Sequence, residues 1–107
     1  MTSVLLLELQ ARIARGEFEL SRHAEARLSE RSLTIADLQE AVATGAVIED
    51  YPAAHYFPCC LIFGITSGGR PVHVVCTYPA RPLVKIITAY EPDATEWQDN
   101  YRRISKK

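Results

Sequence analysis

The chain has 107 residues, a formal net charge of -1, 48% hydrophobic residues and 23% charged residues. This length and composition predict one domain over residues 1–107, and they exclude disordered and fibrous proteins. The near-neutral charge excludes a broad electrostatic attraction to nucleic acid, so any such contact would be local, at the arginines of residues 21–31 or at the basic segment 101–107.

The first predicted helix spans Ser3 to Arg15, with Ser3 as its N-cap and Gly16 just past its end. Its apolar residues recur at helical spacing and are Leu5, Leu6, Leu9 and Ile13.

The apolar run lacks a basic leader and a cleavage site, and no run approaches membrane-spanning length. We therefore expect a cytoplasmic protein with no signal peptide and no membrane contact.

A second helix is predicted after a short connection at residues 16–20. Ser21 is placed to cap it, and His23, Arg27 and Arg31 lie four residues apart on one of its faces. An imidazole followed by two guanidiniums can combine a proton-transfer group with a clamp for phosphate or carboxylate. The alternative is a solvated helix face whose interspersed glutamates are ordinary ion-pair partners.

A third helix is predicted from a capping signal at Thr34 and Asp37, three residues apart, and from Gly45 as its terminator. Its apolar row is Ile35, Leu38 and Val42.

The pattern after the third helix predicts four strands, because β-branched and aromatic residues are concentrated in four segments separated by turn residues. These segments are AVIEDY (46–51), CCLIFGIT (59–66), PVHVVCTY (71–78) and PLVKIITAY (82–90). The short SGGR and PARP connections predict that the last three strands form an antiparallel meander.

The last predicted element is a C-terminal helix, because Asp93 has the N-cap position and Glu96 follows three residues later. Its apolar row is Trp97, Tyr101 and Ile104. The sequence therefore predicts an α+β fold: N-terminal helices, then a twisted antiparallel four-stranded sheet, then a C-terminal helix.

The predicted sheet register rests on two turns, with Thr66 opposite Pro71 and Tyr78 opposite Leu83. In that register the core face is Cys59, Leu61, Phe63, Ile65, Val72, Val74, Cys76, Tyr78, Leu83, Ile87 and Ala89, interrupted by Lys85.

The opposite face of the predicted sheet is half polar. There, His73 would lie between Gly64 and Thr88, with Tyr90 diagonal to it. An imidazole, a hydroxyl and a phenol beside a position with no side chain leave room for a ligand. The alternative is a half-buried strand histidine that is hydrogen-bonded to Thr88, with Gly64 as a bulge.

The metal-ligating residue types show no recognisable spacing. The cysteines are Cys59, Cys60 and Cys76, an odd number without a CxxC pair. This argues against a disulfide framework and a zinc ribbon and fits a reducing compartment. We therefore expect no metal and no cofactor.

Four pieces of the sequence, read in order, are SRHAEARLSERSLTIADLQEAV, VIEDYP, GRPVHVV and ITAYEPD, with Trp97 behind them. Together they resemble a small bacterial family of unknown function that is grouped with RelE-like toxins and the wider barnase-like ribonuclease fold. The resemblance covers about residues 18–103. On it, the family's helix motif falls on His23, Arg27 and Arg31, its strand histidine on His73, and its terminal strand motif on Thr88, Tyr90, Glu91 and Pro92.

The resemblance implies a metal-independent RNA-cleaving fold that is often encoded beside a small antitoxin. It leads us to predict an endoribonuclease of the toxin type. The predicted catalytic residues are His23, His73 and Tyr90, and the predicted substrate-binding residues are Arg27, Arg31 and Thr88.

The alternative function is a non-catalytic RelE-like module that binds a partner protein, such as an antitoxin-like chain. The positions of His23 and His73 discriminate between the two. Catalysis is favoured if both rings open onto one cleft, and the binding module is favoured if they lie on separate surfaces.

Overall fold

A computed structural model of the chain describes residues 3–54, 57–80, 82–100 and 102–103. Its helices are α1 (Val4–Ala14), α2 (Arg22–Glu30) and α3 (Ile35–Ala43). Its strands are β1 (Phe18–Leu20), β2 (Ala46–Tyr51), β3 (Cys59–Ile65), β4 (Pro71–Thr77), β5 (Val84–Tyr90), β6 (Trp97–Gln98) and β7 (Arg102–Arg103). Within the described ranges, no helix is long and apolar enough to cross a membrane.

The three predicted helix starts are confirmed by their caps. The hydroxyls of Ser3 and Ser21 accept hydrogen bonds from backbone N–H groups three residues later, and Thr34 and Asp37 form a reciprocal capping box. Each cap satisfies an N–H group that the helix itself leaves without an acceptor. Gly16 follows α1 with a φ of 78°, the left-handed geometry that ends many helices.

The predicted four-stranded antiparallel sheet is wrong, because the main sheet is mixed and has five strands in the order β1-β5-β4-β3-β2. The additional strand is β1, which was predicted as a connection and pairs in parallel with Val84–Ile86. Three residues are too few to show a strand periodicity in sequence. The pairing depends on a partner more than 60 residues away, which a local pattern does not reveal.

The predicted C-terminal helix is also wrong. The chain makes one helical turn, in which the N–H groups of Glu96 and Trp97 donate to the carbonyl of Asp93, and then forms the two-stranded ribbon β6-β7. Asp99 and Asn100 have φ angles of 55° and 67°, which reverse the chain instead of continuing a helix. The remaining residues of the predicted apolar row, Tyr101 and Ile104, lie outside the described residues.

The core lies between the helices and one face of the main sheet. Its buried strand residues are Cys60, Ile62, Val72, Val74, Cys76, Val84, Ile86 and Ala89. The helices contribute Leu6, Leu9, Ile13, Ala24, Leu28, Leu38, Ala41 and Val42. All three cysteines are free and buried, and Cys60 lies opposite Cys76 on neighbouring strands.

The predicted register is wrong by one residue between β3 and β4, where Ile65, not Thr66, pairs with Pro71. Thr66 instead begins the turn, since its N–H donates to the carbonyl of Arg70. The sequence does not resolve this choice because six of the seven residues of β3 are buried or half-buried on either face. Without polar alternation, a strand carries no register information.

The predicted register between β4 and β5 is also wrong, because His73 pairs with Tyr90 and not with Thr88. His73 therefore lies between Phe63 and Tyr90 on its two neighbouring strands. Gly64 moves to the opposite face, under α3. A Cβ atom added to Gly64 would lie 1.7 Å from the carbonyl oxygen of Ala41. The gap predicted there for a ligand is therefore filled by the backbone of α3.

We predict that Gly64→Ala is strongly destabilising, by about 3 kcal/mol, because α3 has to move away from the sheet. Gly68→Ala is the matched control, because its added Cβ would meet only Thr66 Oγ1 at 3.8 Å. Urea denaturation measures both changes. Equal stability of the two variants would contradict the close packing of α3 on β3.

Candidate functional site

A pocket of about 260 Å³ opens between α2 and the segment that follows β5. Its lining residues are Arg27, Arg31, Tyr90, Glu91, Asp93, Glu96 and Trp97. One wall carries guanidinium groups, and the other carries carboxylates, a phenol and an indole.

The pocket lies where strand pairing on the outer edge of β5 stops. Parallel pairing with β1 ends at Ile86, and the N–H of Ser21 donates to the carbonyl of that residue. The Ser21 hydroxyl donates to the carbonyl of Ile87 at 2.7 Å and accepts from the N–H of Ala24 at 3.0 Å. One serine therefore ends β1, begins α2 and fixes the helix against β5.

The α2 wall carries two cations. Ala24 and Leu28 face the core, which leaves Arg27 half-buried and Arg31 exposed beside the pocket. In the part of the chain that the structure describes, neither guanidinium makes a hydrogen bond or an ion pair. Two unpaired guanidiniums one turn apart can bind an anion from the pocket.

The opposite wall carries three carboxylates in different situations. Glu91 is ion-paired with Arg70 at 2.9 Å. Asp93 accepts hydrogen bonds from the backbone N–H and the hydroxyl of Thr95, at 2.8 and 2.9 Å. Glu96 is exposed, and within the described residues its carboxylate has no hydrogen-bond or ion-pair partner. Glu96 is thus the carboxylate on this wall that is free to act on a ligand.

His73 lies behind this wall and is 0% exposed. Its ring packs edge-to-face against Trp97, with centroids 4.5 Å apart, and its Nδ1 is 3.4 Å from the Tyr90 hydroxyl. Its Nε2 is hydrogen-bonded to the carbonyl of Asn100. Because a carbonyl only accepts, Nε2 carries a proton, and in the neutral ring Nδ1 accepts from Tyr90.

The six predicted site residues divide into two groups. Those that line the pocket are Arg27, Arg31 and Tyr90. Those that do not are His23, His73 and Thr88. His23 is exposed on α2, His73 is buried, and the Thr88 hydroxyl is buried without a hydrogen-bond partner in the described part of the chain. The two histidine rings therefore do not open onto one cleft.

Sequence reasoning did not assign a role in the site to Glu91, Asp93, Glu96 or Trp97. The high proportion of acidic residues in the EPDATEW segment could have indicated this wall, but the segment was interpreted as part of a helix with an apolar row. No group of three or more His, Cys, Asp or Glu side chains within the described residues could hold a metal ion.

Comparison with known proteins gives one finding. The profile of a family described as "Domain of unknown function (DUF4258)" matches residues 20–91. The match includes α2 with its arginines, together with His73 and Tyr90, and ends at Glu91. It gives no link to RelE-like toxins or to the barnase-like fold. No curated protein and no solved structure matches the chain.

We predict that His73→Ala lowers stability by roughly 2–3 kcal/mol, because it leaves a cavity and removes the hydrogen-bond partner of the Asn100 carbonyl. Trp97 is the one tryptophan in the sequence, so its fluorescence reports directly on this contact. Urea denaturation and the Trp97 emission maximum should both change. In the control His23→Ala, on an exposed site, neither should change. An unaltered emission spectrum in His73→Ala would contradict the packing described above.

Proposed function

The chain belongs to the DUF4258 family, and we propose that it is a metal-independent endoribonuclease whose Arg27 and Arg31 hold the scissile phosphate of RNA. The observation that carries this proposal is the pair of guanidiniums that line the pocket without a protein partner in the described residues. The same activity is what the resemblance of the sequence to a family grouped with RelE-like toxins implies.

Arg27 and Arg31 have no carboxylate partner among the described residues. Arg15 and Arg70, by contrast, each pair with a carboxylate, Arg15 with Glu17 and Arg70 with Glu91. Arg27 and Arg31 are close to acidic residues of the same pocket and pair with none of them. A planar guanidinium fork matches two phosphate oxygens, and two forks can surround one phosphodiester.

Arg27 and Arg31 also suit the chemistry of the transition state. Attack of a 2′-hydroxyl on the adjacent phosphorus concentrates negative charge on the phosphorane oxygens. Fixed cations stabilise this charge in the transition state more strongly than they stabilise the charge of the phosphodiester in the ground state. In this proposal the arginines supply the positive charge that a metal ion supplies in other nucleases.

Proton transfer falls to the opposite wall. Glu96 takes the proton of the 2′-hydroxyl while the 2′-oxygen forms its bond to phosphorus. Tyr90 donates a proton to the 5′-oxygen while the bond between that oxygen and phosphorus breaks. The products are a 2′,3′-cyclic phosphate and a free 5′-hydroxyl. Glu96 is preferred to its neighbours because Glu91 and Asp93 already bind protein groups.

His73 acts in this proposal through Tyr90 and does not touch RNA. When the ring is neutral, the Tyr90 proton points at Nδ1 and away from the pocket. When the ring is protonated, Nδ1 donates to the phenol oxygen, and the Tyr90 proton is no longer directed at the ring. His73 is therefore a positioning residue, and His23 lies outside the pocket, where it can contact only a flanking part of the RNA.

The second candidate function is a non-catalytic RelE-like module that binds an antitoxin-like protein. The separation of the two histidines favours it, as do two surface features. Val4 and Leu7 of α1 are 82% and 55% exposed. In the described residues β2 is an edge strand that pairs with β3 alone, and such an edge can accept a strand from another chain.

We predict that Arg27→Ala weakens RNA binding and lowers its salt dependence by about one unit of slope, because one phosphate contact is lost. Its melting temperature should be nearly unchanged, since no protein partner is lost. Binding of a short labelled RNA across a salt series provides the measurement. The control is Arg22→Ala, an exposed arginine at the start of α2 that does not line the pocket. A large loss of stability with unchanged RNA binding would show that Arg27 is a structural residue.

We predict that the protein cleaves mixed RNA in EDTA, and that Glu96→Gln slows cleavage by about 10²–10⁴-fold while RNA affinity is retained, because the amide cannot accept the proton. Glu25→Gln, an exposed acid on α2, serves as the matched control. Single-turnover cleavage rates separate chemistry from binding. Absence of cleavage by pure protein would exclude the enzyme and leave the binding module.

A further inference from the structure

Arg70 joins the two walls of the pocket, although it does not line it. Its Nη1 donates to the carbonyl of Ser32 at 3.0 Å, and its Nη2 donates to the carbonyl of Arg31 at 2.8 Å. The same guanidinium binds both carboxylate oxygens of Glu91, at 2.9 and 3.4 Å. Asp37 lies 3.9 Å from Nη1. One side chain thus connects the end of α2 to the end of β5.

The backbone around Arg70 holds it in this position. Its N–H donates to the hydroxyl of Thr66 at 3.1 Å, and its carbonyl accepts from the N–H of Thr66 at 2.9 Å. Gly69, immediately before it, has a φ of 84°, which the tight turn between β3 and β4 requires. The guanidinium therefore starts from a fixed point on the sheet.

The end of α2 is shaped to meet Arg70. Ser32 has a φ of 54°, and the N–H of Leu33 donates to the carbonyl of Leu28, which is the Schellman arrangement. This arrangement leaves the carbonyls of Arg31 and Ser32 directed away from the helix. A guanidinium at a helix C-terminus satisfies them and interacts favourably with the helix dipole.

The charge of Glu91 gives Arg70 a role beyond connection. Glu91 shares the pocket with Arg27 and Arg31, and a free carboxylate there would compete with any anion for their guanidiniums. Arg70 binds both oxygens of that carboxylate, and this hydrogen-bonded pairing raises the pKa of Arg70. Glu91 is thereby kept from forming an ion pair with Arg27 or Arg31.

We propose that Arg70 is a positioning residue that keeps Arg27 and Arg31 available for an anionic ligand by sequestering the carboxylate of Glu91. This inference deepens the proposed function and rests on it for the identity of the ligand. It makes one claim that does not need a ligand: without Arg70, Glu91 pairs with Arg27 or Arg31.

The test compares the wild type, Arg70→Ala and the double variant Arg70→Ala/Glu91→Gln. The first measurement is the set of arginine Nε–H resonances in NMR spectra of the protein alone. In Arg70→Ala we expect a shift and slower solvent exchange at Arg27 or Arg31, reversed in the double variant. Arg15→Ala is the control, because it breaks an exposed pair with Glu17 far along the chain from the pocket. Arg70→Lys, which keeps the charge, should give an intermediate spectrum and provides a second variant if Arg70→Ala does not fold.

The second measurement is titration with inorganic phosphate, followed by Trp97 fluorescence. Arg70→Ala should bind about fivefold more weakly, the effect of one partly exposed ion pair, and the double variant should recover. If the wild type binds phosphate, weak binding in both variants would reduce Arg70 to a structural tether and overturn the inference. Unshifted arginine resonances in Arg70→Ala would overturn it whatever the phosphate result. Shifted resonances in a protein that binds no phosphate would uphold it and refute the proposed ligand.

Discussion

The hydrogen bonds of Ser21 determine where the pocket forms. The hydroxyl contacts a β5 carbonyl and an α2 N–H at the same time, and the Ser21 N–H extends the pairing of β1 by one more bond. A cap of this kind contributes about 1 kcal/mol, but its geometric effect is larger. It starts α2 at the point where strand pairing stops. Arg27 and Arg31 therefore face the residues that follow β5.

The two ends of α2 are thus held by different interactions. Ser21 fixes its beginning to β5, and Arg70 fixes its end to Glu91. Between these points the helix buries only Ala24 and Leu28, a thin apolar face for nine residues. The polar contacts at its ends therefore contribute strongly to its position.

Sequence reasoning succeeded where the determinant was local. The caps at Ser3, Ser21 and Thr34 and the four long strands follow from short-range patterns. It failed where the determinant was distant or ambiguous. The strand β1 depends on a parallel partner remote in sequence, and β3 is apolar on both faces, so no local rule gives its register. The spacing of Arg27 and Arg31 identified one wall of the pocket. The acidic wall depends on a chain reversal, which was not predicted because the capping signal at Asp93 indicated a helix.

The most direct measurement of whether this pocket cleaves RNA through the 2′-hydroxyl is the identity of the products. Purified protein in EDTA would be incubated with one RNA in two forms, unmodified and 2′-O-methylated at every position, and the ends would be identified by mass spectrometry. We predict 2′,3′-cyclic phosphate and 5′-hydroxyl ends from the unmodified RNA, and binding without cleavage of the methylated RNA. Cleavage of the methylated RNA, or intact unmodified RNA after prolonged incubation, would contradict cleavage through the 2′-hydroxyl.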